Sequence, residues 1–177
     1  MALEADPQRV ARLAAEREDE NWQFRAFLKW SDLESAQIDA VVHRHYAAVA
    51  AQIDCCRCGN CCTQVLPVLE ADDVQRLAAG LALSRAELAR RFLVGGGSPG
   101  SVTFRQKPCP LLQDGRCSAY QARPEDCRSF PHLDKEGFVF RLIQAIENCA
   151  VCPIVYHVME AAKAELWRRR RGRPRLG

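Results

Sequence analysis

Five cysteines fall within eight consecutive positions, Cys55-Cys56-Arg57-Cys58-Gly59-Asn60-Cys61-Cys62, and five more follow at Cys109, Cys117, Cys127, Cys149 and Cys152. Thiols at this density are bridged, metal-bound or redox-active, because the thiolate is both a nucleophile and a metal ligand. A disulfide demands a particular Cα separation and Cβ orientation, which adjacent cysteines satisfy poorly. A metal ion instead gathers several sulfurs from short spacings. The run 55–62 is therefore the expected functional centre of the chain.

The compartment decides between these chemistries. Met1-Ala2-Leu3-Glu4-Ala5-Asp6-Pro7 lacks the basic and then apolar segments of a secretory signal. No stretch approaches the ~18 apolar residues of a membrane span. The expectation is a cytoplasmic protein with reduced thiols, where cysteine spacing points to metal binding ahead of a thiol redox device or disulfides. Net charge is +3, but six arginines (Arg168, Arg169, Arg170, Arg171, Arg173 and Arg175) lie at the end. Without them 19 of the 25 basic residues face 22 acidic ones, a body charge of −3, so any expectation of nucleic-acid binding rests on the tail alone.

The elements that must position the cysteines can be read from periodicity and caps. Residues 7–29 read as one amphipathic helix containing Val10, Leu13, Ala14, Trp22, Phe24, Phe27 and Leu28. Ser31-Asp32-Leu33-Glu34 reads as a capping box, followed by a helix through Ile38, Val41, Val42, Tyr46, Val49 and Ile53 that delivers the chain to Cys55. Val65 to Leu69 reads as extended, Asp72 to Ala79 as a helix ended by Gly80, and Ser84 to Glu87 as a second capping box opening a helix through Phe92. The run Gly95–Gly100 is a loop, and no Gly-Lys-Ser/Thr follows to make it a phosphate loop.

Val102–Arg105 and Phe138–Leu142 are the candidate strands of a small paired element, with irregular backbone expected over 106–135. Pro153 suits the first turn of a last helix with a buried stripe of Ile154, Val155, Val158, Met159, Ala162 and Leu166. The expected fold class is mostly α, with irregular cysteine-rich, metal-organised loops and a small two-stranded β element. Three segments are expected: an N-terminal helical segment over 1–53, a cysteine-cluster domain over 54–167, and a basic, disordered tail over 168–177.

Cys55-x-x-Cys58-x-x-Cys61 reproduces the first three ligands of a bacterial ferredoxin run, in which a further cysteine followed by proline completes the cluster. Cys109-Pro110 and Cys152-Pro153 each carry such a proline. Structural zinc uses Cys-x-x-Cys equally well. Spacing leaves zinc and iron–sulfur open. Glycine after Cys58 suits the tight turn that aims amides at sulfur in either site.

Three longer motifs carry a resemblance: Cys55-x-x-Cys58-Gly59-x-Cys61-Cys62, Pro108-Cys109-Pro110-Leu111-Leu112, and Cys117-x-x-Tyr120-x-x-Arg123-Pro124-x-x-Cys127-Arg128-x-Phe130-Pro131. Together with Asn21-Trp22-x-Phe24-Arg25 and Cys152-Pro153-Ile154-Val155, they resemble the YkgJ-type cysteine-cluster family, whose domain is described as chelating zinc or iron. The flagellin lysine methylases look like relatives with the same cysteine signature. A methylase activity does not carry over, because the chain shows no second domain for substrate or methyl donor. The resemblance implies Cys55, Cys58, Cys61, Cys62, Cys109, Cys117, Cys127 and Cys152 as metal ligands, enough for two four-sulfur sites. Cys56 and Cys149 fall outside the pattern and read as a free thiol or a buried small apolar residue.

Other residues weigh less. His132 follows Cys127 by five and could donate to a metal, but reads as a loop residue. His43 and His45, two apart on a helix, do not share a face, and His157 reads as a core-edge residue. Tyr120, Arg123 and Arg128 lie between ligands, where a cation lowers thiol pKa and offsets cluster charge; Arg123 could otherwise pair with Glu125 or Asp126. Arg170-Arg171-Gly172-Arg173-Pro174-Arg175 resembles an AT-hook for A·T-rich DNA, a side reading against a solvated basic end. The expected partners are metal ions, with no membrane. The two function classes are a metal-chelating module with closed thiolate coordination and an iron–sulfur redox protein or enzyme. No nucleophile–base pair, carboxylate pair or cofactor loop supports an enzyme assignment, and no catalytic residue is named.

Overall fold

The computed structural model describes residues 3–168, in chain order: α1 (Pro7–Glu16), α2 (Glu18–Trp30), α3 (Ser35–Ala50), α4 (Cys55–Cys58), α5 (Cys61–Gln64), β1 (Val68–Leu69), α6 (Ala71–Gly80) and α7 (Arg85–Phe92). There follow β2 (Leu93–Gly95), β3 (Val102–Phe104), β4 (Leu112–Gln113), β5 (Arg116–Cys117), α8 (Glu125–Ser129), α9 (Leu142–Cys149) and α10 (Pro153–Ala162). The chain is mostly helical, with a few short antiparallel strands. Two compact units divide it, one formed by 1–54 with 131–177 and the other by 55–130. The expected segment 54–167 thus runs across a second division at Phe130, while the expected tail and its AT-hook-like arginines, Arg168 apart, lie outside the described residues. Among the described residues no helix is long and apolar enough to cross a membrane.

In the helical unit, Asp6 caps α1 by accepting from the Gln8 and Arg9 amides at 2.8 and 3.0 Å, with Pro7 in the first turn. The single helix expected over 7–29 breaks at Arg17, and α2 restarts with Glu18, Asp19 and Glu20 in its first turn. An acidic first turn is stabilised by the positive end of the helix dipole, so this sequence favours a new start over continuation. The expected capping box shifts too. Ser31 closes α2 by donating to the Leu28 carbonyl at 3.1 Å, while Glu34 and Gln37 form the reciprocal cap that opens α3. α3 and α10 pack together, burying Ile38, Val42 and Val49 from one and Ile154, Val155, Val158 and Met159 from the other. Lys163 is fully buried and ion-paired with Glu160 and with Glu20 at 3.2 Å, which satisfies a charge that would otherwise be costly there.

Phe138–Leu142 is not a strand. Residues Phe138–Arg141 form a 3₁₀ turn and Leu142 begins α9. The cause lies on α3, where the buried Asp39 carboxylate accepts from the Gly137 and Phe138 amides at 2.7 and 2.8 Å. Gly137, at φ +73°, sets the entry, and those amides are lost to any ladder.

The cysteine-rich unit has its own core of Leu69, Leu77, Leu88, Leu93, Phe104 and Leu111. β3 is the centre of a three-stranded antiparallel sheet in the order β1-β3-β2, with Val68 opposite Thr103 and Leu93 opposite Phe104. α6 stops in a Schellman motif: Leu83 N–H donates to the Ala78 carbonyl at 3.0 Å and Ala82 N–H to Ala79 at 3.1 Å. Ala82 takes the left-handed position at φ +53°, not Gly80 as expected. Gly80 is needed for space, because a Cβ there would stand 2.3 Å from the Ala122 methyl carbon. The Ser84–Glu87 capping box opens α7 as the sequence indicates.

Candidate metal centre

α4 carries Cys55, Cys56 and Cys58, and α5 begins with Cys61 and Cys62. Between them the chain reverses at Gly59, whose φ of +59° is left-handed and makes the tight turn for which a glycine after Cys58 is suited. A side chain at Gly59 would also meet the Gly115 carbonyl oxygen at 2.9 Å, so the turn is pressed against the loop joining β4 and β5. Hydrogen bonds from Cys62 N–H to the Gly59 carbonyl (3.1 Å) and from Thr63 N–H to the Asn60 carbonyl (2.9 Å) set the start of α5.

The distal cysteines arrive by three routes. Cys109 N–H donates to the Cys62 carbonyl at 2.7 Å, tying the two backbones directly. Cys117 sits on β5, opposite Leu112 in a hairpin whose two-residue loop is Asp114-Gly115, at φ +48° and +75°. An Asp-Gly pair with both φ positive matches the twist of antiparallel strands, and this signal was present in the stretch read as irregular. Cys127 lies on α8, which is pinned at its start: Glu125 N–H donates to the buried Asp73 carboxylate at 2.9 Å, and Asp126 accepts from Val68 N–H at 3.0 Å.

Cys62, Cys109, Cys117 and Cys127 influence one another electrostatically, and Cys61 hydrogen-bonds Cys62. A hydrogen bond with Cys61 is the largest influence on the Cys62 thiol, which falls from 9.0 to about 7 with help from the Arg123 charge and against the effect of burial. Burial drives Cys109 up to about 11, with Cys62 and Cys117 adding to the rise. Cys117 is also raised by burial, and by Cys62, against an opposing pull from the Ala119 amide and Arg123. Cys127 goes up to about 12, through burial first and then Cys62, Cys109, Asp126 and Cys117. Cys62 acts on all three distal thiols, so a charge on one is felt by the others.

Cys55 and Cys56 are exposed at the rim and Cys58 is half-buried. Cys56 Sγ donates to Tyr120 Oη at 3.1 Å, and the Arg123 guanidinium lies 3.9 Å above the Tyr120 ring centroid. Arg123 thus engages the face of Tyr120. Cys149 and Cys152 both lie in the helical unit and are buried. Cys149 is pushed up to about 12 by burial, with Cys152 among the charges acting on it.

The histidines of the helical unit serve hydrogen bonds. His45 Nε2 pairs with Glu165 at 2.9 Å, His43 reaches the Lys135 carbonyl at 3.3 Å, and His157 reaches the Glu4 carbonyl at 2.8 Å. His132 is buried in that unit at φ +61°.

The donors suit a thiophilic cation, being sulfur with no competing carboxylate in the expected set. Among the described residues, no group of three or more His, Cys, Asp or Glu side chains is arranged to hold a metal ion. Cys62, Cys109, Cys117 and Cys127 are the candidates to hold an ion, and a bound ion would replace their protons with its own positive charge.

The family model CxxCxxCC, described as "Putative zinc- or iron-chelating domain", matches residues 54–153. No curated protein and no solved structure matches the chain. With more than half of its length matched, from the residue before Cys55 to Pro153, the chain belongs to the CxxCxxCC family.

Proposed function

We propose that this is a cytoplasmic metal-chelating protein whose centre is a four-thiolate site of Cys62, Cys109, Cys117 and Cys127, with Cys61 alongside. Cys55 and Cys58 supply the outer thiols of the same run, and Cys152 is left as a donor beyond this set. The observation that carries the reading is the hydrogen bond of 2.7 Å from Cys109 N–H to the Cys62 carbonyl, which ties a distal cysteine directly to the run 55–62. The Asp114-Gly115 hairpin that carries Cys117 and the Asp73-capped α8 that carries Cys127 support it further.

A second reading, an iron–sulfur redox protein, is favoured by the Cys55-x-x-Cys58-x-x-Cys61 spacing and by Pro110 and Pro153 after Cys109 and Cys152. Anaerobic purification from iron-replete cells separates the two. Stoichiometric zinc and a colourless protein support the chelating centre, whereas iron, sulfide and absorbance near 400 nm support the cluster. Protein that carries neither metal, and takes up neither on reconstitution, contradicts both.

A further inference from the structure

We infer that α2 is a self-association face: two copies of this chain pair through it, antiparallel, about a two-fold axis beside Ala26. The inward side of α2 is occupied within the helical unit. Asn21, Phe24 and Leu28 are buried, and the rings of Phe24 and Phe27 lie 6.0 and 6.3 Å from that of Trp167. The outward side of such a helix should be polar. Here it carries Asp19, Trp22, Gln23, Ala26, Lys29 and Trp30, which share one side by helical spacing and are all exposed. Trp30 is 90% exposed and Trp22 40%, with the Arg25 guanidinium carbon 5.7 Å from the Trp22 ring centroid. The motif Asn21-Trp22-x-Phe24-Arg25 is thus split, with Asn21 and Phe24 inward and Trp22 outward beside Arg25. Phe140 and Ile143 are also exposed, on the 3₁₀ turn and on α9, both of which pack against α2. Four of the seven large apolar side chains exposed among the described residues therefore fall on adjoining elements. Scattered singly they would be ordinary; gathered, they mark an interface.

The order of residues along α2 points to a second copy as the occupant. An isologous interface must be complementary to itself. The outward stripe reads alike from either end, with Ala26 at its middle and a tryptophan four residues to each side. Crossed antiparallel at Ala26, whose small side chain permits close approach, each Trp22 meets the partner's Trp30. The same crossing sets the acidic first turn of one helix, Glu18 and Asp19, at the end where the other carries Lys29. Opposed helix dipoles favour this direction too. A parallel pairing would place like charges together, and the exposed carboxylates disfavour an anionic lipid surface. Aromatic anchors inside a charged rim are the composition of an interface core.

Sedimentation equilibrium of the full-length protein in reductant, over about 1–100 μM, spans the affinities expected of a small helical interface. Wild type should be a reversible dimer. Trp30→Ser and Ala26→Glu should each weaken it at least ~30-fold, as loss of an interface anchor does, with melting temperature near wild type because both side chains are exposed. Should one variant fail to fold, the other decides. Lys29→Glu should weaken the dimer a few-fold and Asp19→Lys combined with Lys29→Glu should restore it, since rim charges act through pairing. A wild type that stays monomeric throughout overturns the proposal. So does a dimer that withstands both Trp30→Ser and Ala26→Glu, which would place the contact on another face. A dimer seen only without reductant is bridged by cysteine and overturns it as well.

Discussion

Cys62 and Cys127 are the same side chain under opposite pressures. Cys61 and Arg123 favour the Cys62 thiolate, while burial and three neighbouring thiols disfavour that of Cys127. The consequence for the metal-free, reduced protein has a definite sign. Cys109, Cys127 and Cys149, raised to about 11, 12 and 12, remain protonated in the folded chain where the unfolded chain ionises near 8.5. Their contribution is complete below that pH and is lost as pH climbs toward the folded values. Cys62, lowered to about 7, works the other way and adds stability as pH rises from 7 to 9. The raised thiols, Cys117 among them, outweigh the one lowered, so the melting temperature should fall above about pH 9, as thermal unfolding in reductant would show. A rise over pH 9–10.5 would contradict these environments. Substitution gives a second check: Cys127→Ser should abolish metal retention, whereas Cys56→Ser, at the exposed rim, should leave metal per chain near wild type. Serine keeps the size and removes the soft, acidic donor. Equal losses in both variants would refute the assignment.

The elements around the centre show what local sequence can and cannot disclose. Pro153 and the Ser84–Glu87 box were legible because their signals act within one helical turn. The break at Arg17 and the hairpin at Asp114-Gly115 were equally local, written in Glu18-Asp19-Glu20 and in an Asp-Gly pair, but were outweighed by apolar spacing and by the Pro- and Gly-rich composition. The 3₁₀ turn at Phe138 was not legible, because the group that claims its amides, Asp39, stands about a hundred residues earlier. Gly80 is similar: it looks like a stop signal, yet its role is set by Ala122 across the unit's interior. This reverses the usual expectation for helix substitutions. Gly80→Ala, normally favourable in a helix, should destabilise by roughly 1–3 kcal/mol through overpacking. Ala82→Gly should stabilise by about 1 kcal/mol by relieving a left-handed alanine. Chemical denaturation of the two variants checks both signs, and a stabilising Gly80→Ala would show that the α6 contact with Tyr120–Ala122 is loose.

At the scale of the whole molecule, the candidate donors divide between the two units. Seven of the eight pattern cysteines, all but Cys152, belong to the unit 55–130, whose apolar core is small and whose strands are two or three residues long. Metal bound in such a unit would add to its order, since binding energy at a site absent from the unfolded chain is folding energy. The helical unit, with its α3–α10 core, should be less dependent. Chelation should therefore open 106–130 to protease while α10 stays protected, and identical digestion with and without metal would make the metal structurally dispensable. The fold class, the glycine turn at Gly59 and the family could all be read from residue type and spacing. The four thiols proposed as the centre could not be singled out that way, because their placement depends on Asp73, the hairpin and the Cys109–Cys62 bond. Convergence is also the central claim, and alkylation of the native, metal-loaded protein followed by peptide mass mapping tests it most directly. Cys62, Cys109, Cys117 and Cys127 should be protected together and released together by chelator, with Cys56 labelled throughout. Metal-loaded protein in which those four are alkylated as readily as Cys56 would contradict it.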